Sequence, residues 1–407
     1  MLRIIASQPM SIMQPEIRVF VSASAAEPFA AAPLSRQLTP LLSATFEGGF
    51  IPGVNTFDWS SLSPEARMAG PFMSPAWRAI SVAGRFERLP VTYHGFARRV
   101  ATSRYAAGLF MVTPPDAAGF CSFGPTADFA PTALDRCALK IGVINPSLPW
   151  LPGSSTVPIS AFDEIVELDS PLVEYVVRAP GPIETRIIVR VAALIPNGAT
   201  VQAGIGRLGD ALWAGLVGKE GLSLHSGMIC DPVADLVRQG LFQRVTTGSL
   251  LGSRAFYAKA ADLPGIEMAP ALQTHDIARL AAIPGFVALN SAIEVDLLGQ
   301  VNAEWVDGEA ISGPGGLPDF IGGARRSPGG LPIIALGSTA KGGAVSRIVA
   351  RLEVPATLSA AEVGIVVTEH GAVDLRPLEG EARAMALIEL AAPDHRPALR
   401  QAWRRGV

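Results

Sequence analysis

The chain of 407 residues is 49% hydrophobic and 17% charged, with a formal net charge of -3, which excludes the basic surface of a nucleic-acid binder. A length of that order predicts two domains of about 200 residues, and no apolar run reaches the ~18 residues that a membrane span requires. Cys121, Cys137 and Cys230 stand far apart with no C-x-x-C, so neither a disulfide framework nor a metal site is indicated and a reducing cytoplasm fits; the start, MLRIIASQPMSIM, lacks the ~7 to 15 apolar residues of a signal peptide.

In chain order, the first strand signal runs from Ile17 to Val21, followed by the small-residue turn Ser22 to Pro28 and an Ala-rich helical stretch. Phe46 to Asn55 is a glycine and proline loop, either a cleft wall or a plain connector. Further on come Pro115-Asp116-Ala117-Ala118-Gly119-Phe120-Cys121 and the apolar segment Ile141 to Asn145. The rigid loop Pro146 to Gly153 then places Trp150 half-buried or over a ligand. Strand residues Leu172 to Val177 give way to a polar turn near Pro180 to Glu184, where the joint between domains 1–182 and 183–407 is expected.

The stretch from Thr200 to Asp231 organises the second half. Thr200 to Ala203 is a short apolar strand, and Gly204-Ile205-Gly206 is a turn whose missing side chains let a ligand approach the backbone. Ala211, Leu212, Leu216 and Val217 recur at helical spacing, so the free N–H groups of a helix start predict an anion or oxyanion site. The next strand, Leu222 to His225, delivers Ser226, Gly227 and Asp231 to the same edge. Gly204 to Gly209 also fits G-x-G-x-x-G, but the acid that would hold a nicotinamide ribose is missing from the end of that strand. A turn that only packs a helix on a sheet is the plainer alternative.

Beyond it, Phe286 to Leu289 is a buried strand, and Ser312 to Phe320 is a second glycine turn that exposes backbone. Ile333 to Leu336 is a strand leading into Gly337 to Gly343, whose Lys341 could hold a phosphate although the order is not that of a P-loop. Glu369 closes the series at another strand end, as a catalytic carboxylate or as a cap. Three ordered echoes link the halves: Ile17 onward with Thr200 onward, Asp116 with Asp296, and Ile141 to Asn145 with Ile365 to Glu369. They predict an α/β chain of two tandem open domains related by a degenerate internal repeat.

Taken together, Gly204-Ile205-Gly206, His225-Ser226, Asn290-Ser291-Ala292, Gly299-Gln300-Val301, Ser312 to Gly316 with Asp319-Phe320, Ser338 to Gly343 and Val367-Thr368-Glu369 form an ordered series. With Phe50 to Asn55 and Thr113 to Ser122 in the first half, the chain resembles the acetyl-CoA hydrolase/transferase family. The resemblance implies open α/β domains of the CoA-transferase type with the active site at their junction. It implies coenzyme A or acyl-CoA as substrate, with no tightly bound cofactor. A small carboxylate is the possible acceptor, and a homo-oligomer, a dimer, the expected state.

In that family a glutamate after the His-Ser/Thr pair attacks the thioester and forms a glutamyl-CoA intermediate. The matching position here is Gly227, so the resemblance breaks at the nucleophile. Gly209, where the family usually has proline, and Gly322, where arginine is common, are lesser departures. The oxyanion donors remain, as backbone N–H groups near Gly206, Arg207 and Leu208 and of Gly315 and Gly316. The missing side chain leaves room for about two or three waters. With Glu369 as general base, the leading expectation is hydrolysis by activated water. Transfer through Glu294 or Asp231 is the runner-up, and an acyl-CoA binder without thioester chemistry is a third reading. Lys341 and Arg347 are candidates for the CoA phosphates, and Gly204 and Gly313 for close backbone approach.

Overall fold

The computed structural model describes residues 17–29, 36–151 and 153–406. The N-terminal segment MLRIIASQPMSIM, most of the Ala-rich stretch after Pro28, and Pro152 lie outside them. Two sheets dominate. The first orders its strands Phe86–Arg88, Arg67–Gly70, Thr45–Glu47, Arg18–Val21, Tyr105–Val112, Cys137–Ile144 and Glu164–Glu167, all parallel. The second orders Ile266–Met268, Phe242–Leu250, Leu222–Ile229, Thr200–Ala203, Phe286–Ser291, Leu331–Ala335 and Ile365–Thr368, with Gly371–Asp374 added antiparallel at the edge.

In each sheet the strand that comes first in the chain lies in the middle. The next three step outward on one side, and the chain then crosses back to fill the other. The shared order is the structural form of the repeat. A covered parallel sheet needs apolar side chains on both faces, and YAAGLFMV of Tyr105–Val112 is buried at all positions but Ala106.

Local detail extends the likeness. In the first half Asp116 accepts the N–H groups of Ala118 and Phe120, both at 2.9 Å, with Gly119 at φ +81°. In the second, Asp296 accepts those of Leu298 and Gln300 at 3.1 and 2.8 Å, with Gly299 at φ +90°. Each turn follows the strand that reopens its sheet beside the central one. Ile141 to Asn145, by contrast, belongs to the sixth parallel strand of its sheet and Ile365 to Thr368 to the seventh. Its counterpart by position is Leu331–Ala335, so that echo is displaced by one strand. Buried apolar runs carry no mark of their order, and adjacent ones are interchangeable to the eye.

Two boundaries also shift. Leu222–Ile229 continues through Ser226 and Gly227, which pair in register beside Thr247 and the segment that follows it. The helix after the glycine turn spans Arg207–Gly215 and stops short of Val217, which is 69% exposed. Residues 168–181 are irregular, and helix Pro182–Leu194 then packs on helix Arg207–Gly215 and on the far edge of the second sheet. One apolar core contains Val19, Phe46 and Leu109 from the first sheet and Val201, Leu224 and Val287 from the second.

Candidate active site

A cavity of about 350 Å³ opens where the carboxyl ends of the second sheet's central strands meet loops of the first half. Crevices of open α/β sheets form there because neighbouring strands send their connections to opposite faces. Ala203, Gly204 and Ile205 supply one wall, Asn290 and Ser291 a second, and Ser226 and Gly227 a third. Ile51 and Pro52 of the glycine and proline loop, with Phe72 and Tyr93, close it from the first half. Thus Phe46 to Asn55 does wall a cleft, whereas Trp150 is outside the lining and 36% exposed.

The two glycine turns converge here, for Gly204, Gly313, Gly315 and Gly316 all line the cavity. Gly206 does not. It caps helix Arg207–Gly215 at φ +112°, and Ile205 is the turn residue that faces inward. A Cβ at Gly209 would stand 1.6 Å from the Gly204 carbonyl oxygen, so the helix lies on the turn at a distance only glycine permits. A Cβ at Gly313 would stand 1.9 Å from the Pro71 carbonyl oxygen, which brings the second turn against the first half. The Gly315 carbonyl accepts the Tyr93 N–H at 2.8 Å, while the N–H groups of Gly315 and Gly316 have no protein acceptor among the described residues. Asn290 donates to Gln202 at 3.1 Å, which leaves the amide N–H groups of Gln202 for an occupant.

Gly227 lines the cavity, and the space beside it is filled. A Cβ there would stand 2.7 Å from Cε1 and 2.8 Å from Nε2 of His275. The expectation of two or three waters in the volume of the missing glutamate is therefore corrected: an imidazole occupies it. His275 is 3% exposed and packed against Tyr93 and Phe320, each with its ring centre 4.5 Å away. Its Nδ1 is 2.9 Å from the Thr274 hydroxyl, and Nε2 lies between Gly227 and Gly316, 2.7 Å from where a Gly316 Cβ would be. Burial, reinforced by His225 and His94, holds its pKa well below the usual histidine value, so the ring is neutral.

Among the described residues no Asp, Glu, Lys or Arg lines the cavity, and Tyr93 and His275 are its titratable side chains. Glu369 stands elsewhere, its carboxylate accepting the Ser338 N–H at 2.8 Å and the Ser338 hydroxyl at 2.7 Å. Glu294 accepts Asn302 Nδ2 at 3.0 Å on a small separate sheet, and Asp231 accepts the N–H of Ser253 at 2.9 Å. Arg207 is exposed and 3.6 Å from Glu184, and Lys341 is exposed and 3.5 Å from Asp307. Arg347 gives its backbone to the strand network, its N–H bonding the Ser338 carbonyl at 2.9 Å. None of these six belongs to the cavity wall.

Buried carboxyls brace the wall from behind. The Tyr93 hydroxyl donates to Asp128 at 2.7 Å, and burial pushes the Asp128 carboxyl up to about 6. Asp319, on helix Leu317–Arg326, accepts the Thr92 hydroxyl at 2.8 Å and the His94 N–H at 3.0 Å, and burial pushes it up to about 7. It thereby caps helix Tyr93–Thr102 of the first half from the second. Glu27 receives Trp59 Nε1 and Asn55 Nδ2, both at 3.0 Å, and is pushed to about 7 by burial. Asn55 in turn fixes the loop that carries Ile51 and Pro52, accepting the Ile51 N–H at 2.9 Å.

Sequence reasoning missed His275, Tyr93 and Gln202. His275 follows the four-residue helix Ala271–Thr274, and no local pattern marks it; a lone histidine beside the helix-capping Asp276 was the available signal.

The comparisons with known proteins fit this geometry. Residues 252–403 match the acetyl-CoA hydrolase/transferase C-terminal domain. The 4-hydroxybutyrate coenzyme A transferase of Clostridium kluyveri is 36% identical over 73% of this chain and 72% of its own. Butyryl-CoA:acetate CoA-transferase of Anaerostipes caccae is 33% identical over 79% of this chain and 77% of its own. An acetyl-CoA hydrolase of Candida albicans is 26% identical over 54% of this chain and 43% of its own. Among solved structures, RipA from Yersinia pestis superposes with a TM-score of 0.88 at 28% identity, covering 96% of this chain and 94% of that one. With a domain match, transferase relatives over most of its length and the two-sheet architecture in common, the chain belongs to the acetyl-CoA hydrolase/transferase family of CoA-transferase-type α/β enzymes.

Proposed function

We propose that the chain binds an acyl-CoA thioester in this cavity and hydrolyses it with water, rather than passing the acyl group through an enzyme glutamate. The observation that carries the reading is the lining: no carboxylate is in it among the described residues, and Gly227 stands where the family resemblance puts the nucleophile. Relatives named as CoA transferases and others named as acetyl-CoA hydrolases make both outcomes natural to the family.

Hydrolysis requires a polarised carbonyl and a placed water. The Gly315 and Gly316 N–H groups are suited to the developing oxyanion, and one such donor is worth about 3 kcal/mol in the transition state. The apolar wall of Ile51, Phe72, Leu317 and Phe320 is suited to an uncharged acyl chain and limits bulk water, which strengthens those hydrogen bonds. Lys341 and Arg347 remain the proposed contacts for CoA phosphates, and Gly204 and Gly313 the places of close backbone approach. No observation favours transfer through Glu294 or Asp231, because each carboxylate is committed to neighbours outside the cavity.

Mass spectrometry of products from acetyl-, butyryl- and succinyl-CoA, with and without acetate, tests the reading. Release of free CoA and acid at a rate independent of acetate supports it. Conversion of butyryl-CoA and acetate into acetyl-CoA would overturn it, and binding without turnover would leave an acyl-CoA binder.

A further inference from the structure

Building on the hydrolytic reading, we propose that His275 is the general base of the reaction, its Nε2, which lies between Gly227 and Gly316, taking the proton from an attacking water in the adjoining cavity. Three observations converge on it. Neither glycine can carry a side chain while the ring is present, since a Cβ at either position would approach Nε2 to 2.8 or 2.7 Å. The imidazole and a glutamate at position 227 are therefore mutually exclusive occupants of one volume. The ring is also held. Tyr93 and Phe320 pack against it, each ring centre 4.5 Å away, and the Tyr93 hydroxyl is itself anchored on Asp128.

The hydrogen bonds behind the ring accommodate the tautomer that a base needs. The role requires Nδ1–H to donate to the Thr274 hydroxyl 2.9 Å away, whose own proton then turns to the Pro270 carbonyl at 3.5 Å. In that tautomer the lone pair of Nε2 is left toward the cavity, with no protein donor among the described residues. Such a second-atom hydrogen bond is what sets the reactive nitrogen of a catalytic histidine. Next to it, His225 Nε2 donates to the Thr274 carbonyl at 2.9 Å and holds the same short helix in place.

In the reaction, the water oxygen bonds to the thioester carbon as Nε2 accepts a water proton, and the carbonyl electrons move to the oxygen facing the Gly315 and Gly316 N–H groups. When the oxyanion collapses the C–S bond breaks, and the imidazolium returns its proton to the departing thiolate. The products are free CoA thiol and a carboxylic acid, which ionises in water. No oxidant, metal or enzyme ester takes part in this step.

The charged and titratable neighbours are His225 on strand Leu222–Ile229, Tyr93 and His94 on the facing helix, and Asp128 and Asp319 behind those two. Burial, with the two histidines adding to it, depresses the His275 pKa, so the base is already neutral at pH 7. Its protonation limb therefore falls below the ordinary histidine range.

The test uses the full chain, with butyryl-CoA for turnover and the thioether S-butyl-CoA for binding. A His275→Ala variant is expected to lose about 100-fold or more in kcat, to bind the thioether within about threefold of the parent, and to regain activity when imidazole is added. Should the alanine variant not fold, His275→Gln is read by the same rate and binding measurements. A variant within fivefold of the parent in kcat would overturn the assignment while leaving hydrolysis standing. So would a rate loss accompanied by lost thioether binding and no imidazole rescue, the signature of a merely structural role. A parent chain that releases no free CoA would instead remove the reading on which the assignment rests, and the assignment with it.

Discussion

Replacing Gly227 by glutamate puts the family's nucleophile back, yet the substitution alone is expected not to create a transferase. The new Cβ would stand 2.7 Å from Cε1 and 2.8 Å from Nε2 of His275, where ordinary contact begins at 3.4 Å. The ring would have to withdraw by roughly 0.6 Å or more, but Tyr93 and Phe320, both buried, are packed against it. Overpacking of this kind costs about 1–3 kcal/mol. For a chain of this size that is a fall of about 1–4 °C in the unfolding midpoint. The double variant Gly227→Glu with His275→Ala removes the conflict. It is expected to recover the midpoint and to form a hydroxylamine-sensitive glutamyl adduct with acyl-CoA. Calorimetry on the parent, both single variants and the double variant gives the coupling directly. A Gly227→Glu single variant with the parent's midpoint and rapid butyryl transfer to acetate would refute the reasoning.

Gly209→Ala is expected to destabilise by about 3 kcal/mol or more, because its Cβ would meet the Gly204 carbonyl oxygen at 1.6 Å; a denaturation midpoint equal to the parent's would contradict it. Glu369→Gln, which can still accept the Ser338 N–H and meet its hydroxyl, is expected to keep kcat within about threefold. Loss of activity in a folded Glu369→Gln enzyme would return the role of base to Glu369. Asp319, Glu27 and Asp128 have folded pKa values raised by burial to about 7, 7 and 6. A raised carboxyl binds protons better in the folded chain, so its contribution is complete below the unfolded pKa near 4 and is lost as pH rises through the folded value. The unfolding midpoint should accordingly fall between pH 5 and pH 7.5, and less steeply in Asp319→Asn; a rising midpoint, or an unchanged slope in the variant, counts against this. Lys341→Ala should raise KM for acyl-CoA about five- to tenfold with kcat unchanged, the size of one charge-assisted hydrogen bond. The increase should vanish for an acyl-pantetheine that lacks the phosphates.

What could be read in the sequence was what local chemistry determines. Strand, small turn and helix recur at Arg18–Val21 and Thr200–Ala203 because a buried central strand and a close backbone approach each demand particular residues. Asp116 and Asp296 announce matching turns because a side-chain oxygen and a glycine at positive φ are both required. The two glycine turns do meet, as their backbone-exposing pattern implied.

What could not be read was decided by packing between distant segments. Ile365 to Thr368 and Leu331 to Ala335 are equally apolar, so only pairing distinguishes seventh strand from sixth. Ser226 and Gly227 look like turn residues but are held in a strand by a long neighbour, Phe242–Leu250. His275 reaches Gly227 from 48 positions away in the sequence, brought by the packing of a four-residue helix against the facing Tyr93–Thr102 helix and strand Leu222–Ile229. Glu369 reads as a base because it ends a strand, yet its carboxylate is already engaged by Ser338.

The origin of the oxygen in the product acid tests the central claim most directly. In a single turnover with enzyme in excess over butyryl-CoA in H2(18)O, direct attack by water places one 18O atom in the first butyrate released and leaves the protein unlabelled. Attack by an enzyme carboxylate, followed by return of CoA to the enzyme carbonyl and hydrolysis of the resulting enzyme thioester, would release unlabelled butyrate and leave the 18O on the protein, and that result would contradict the account.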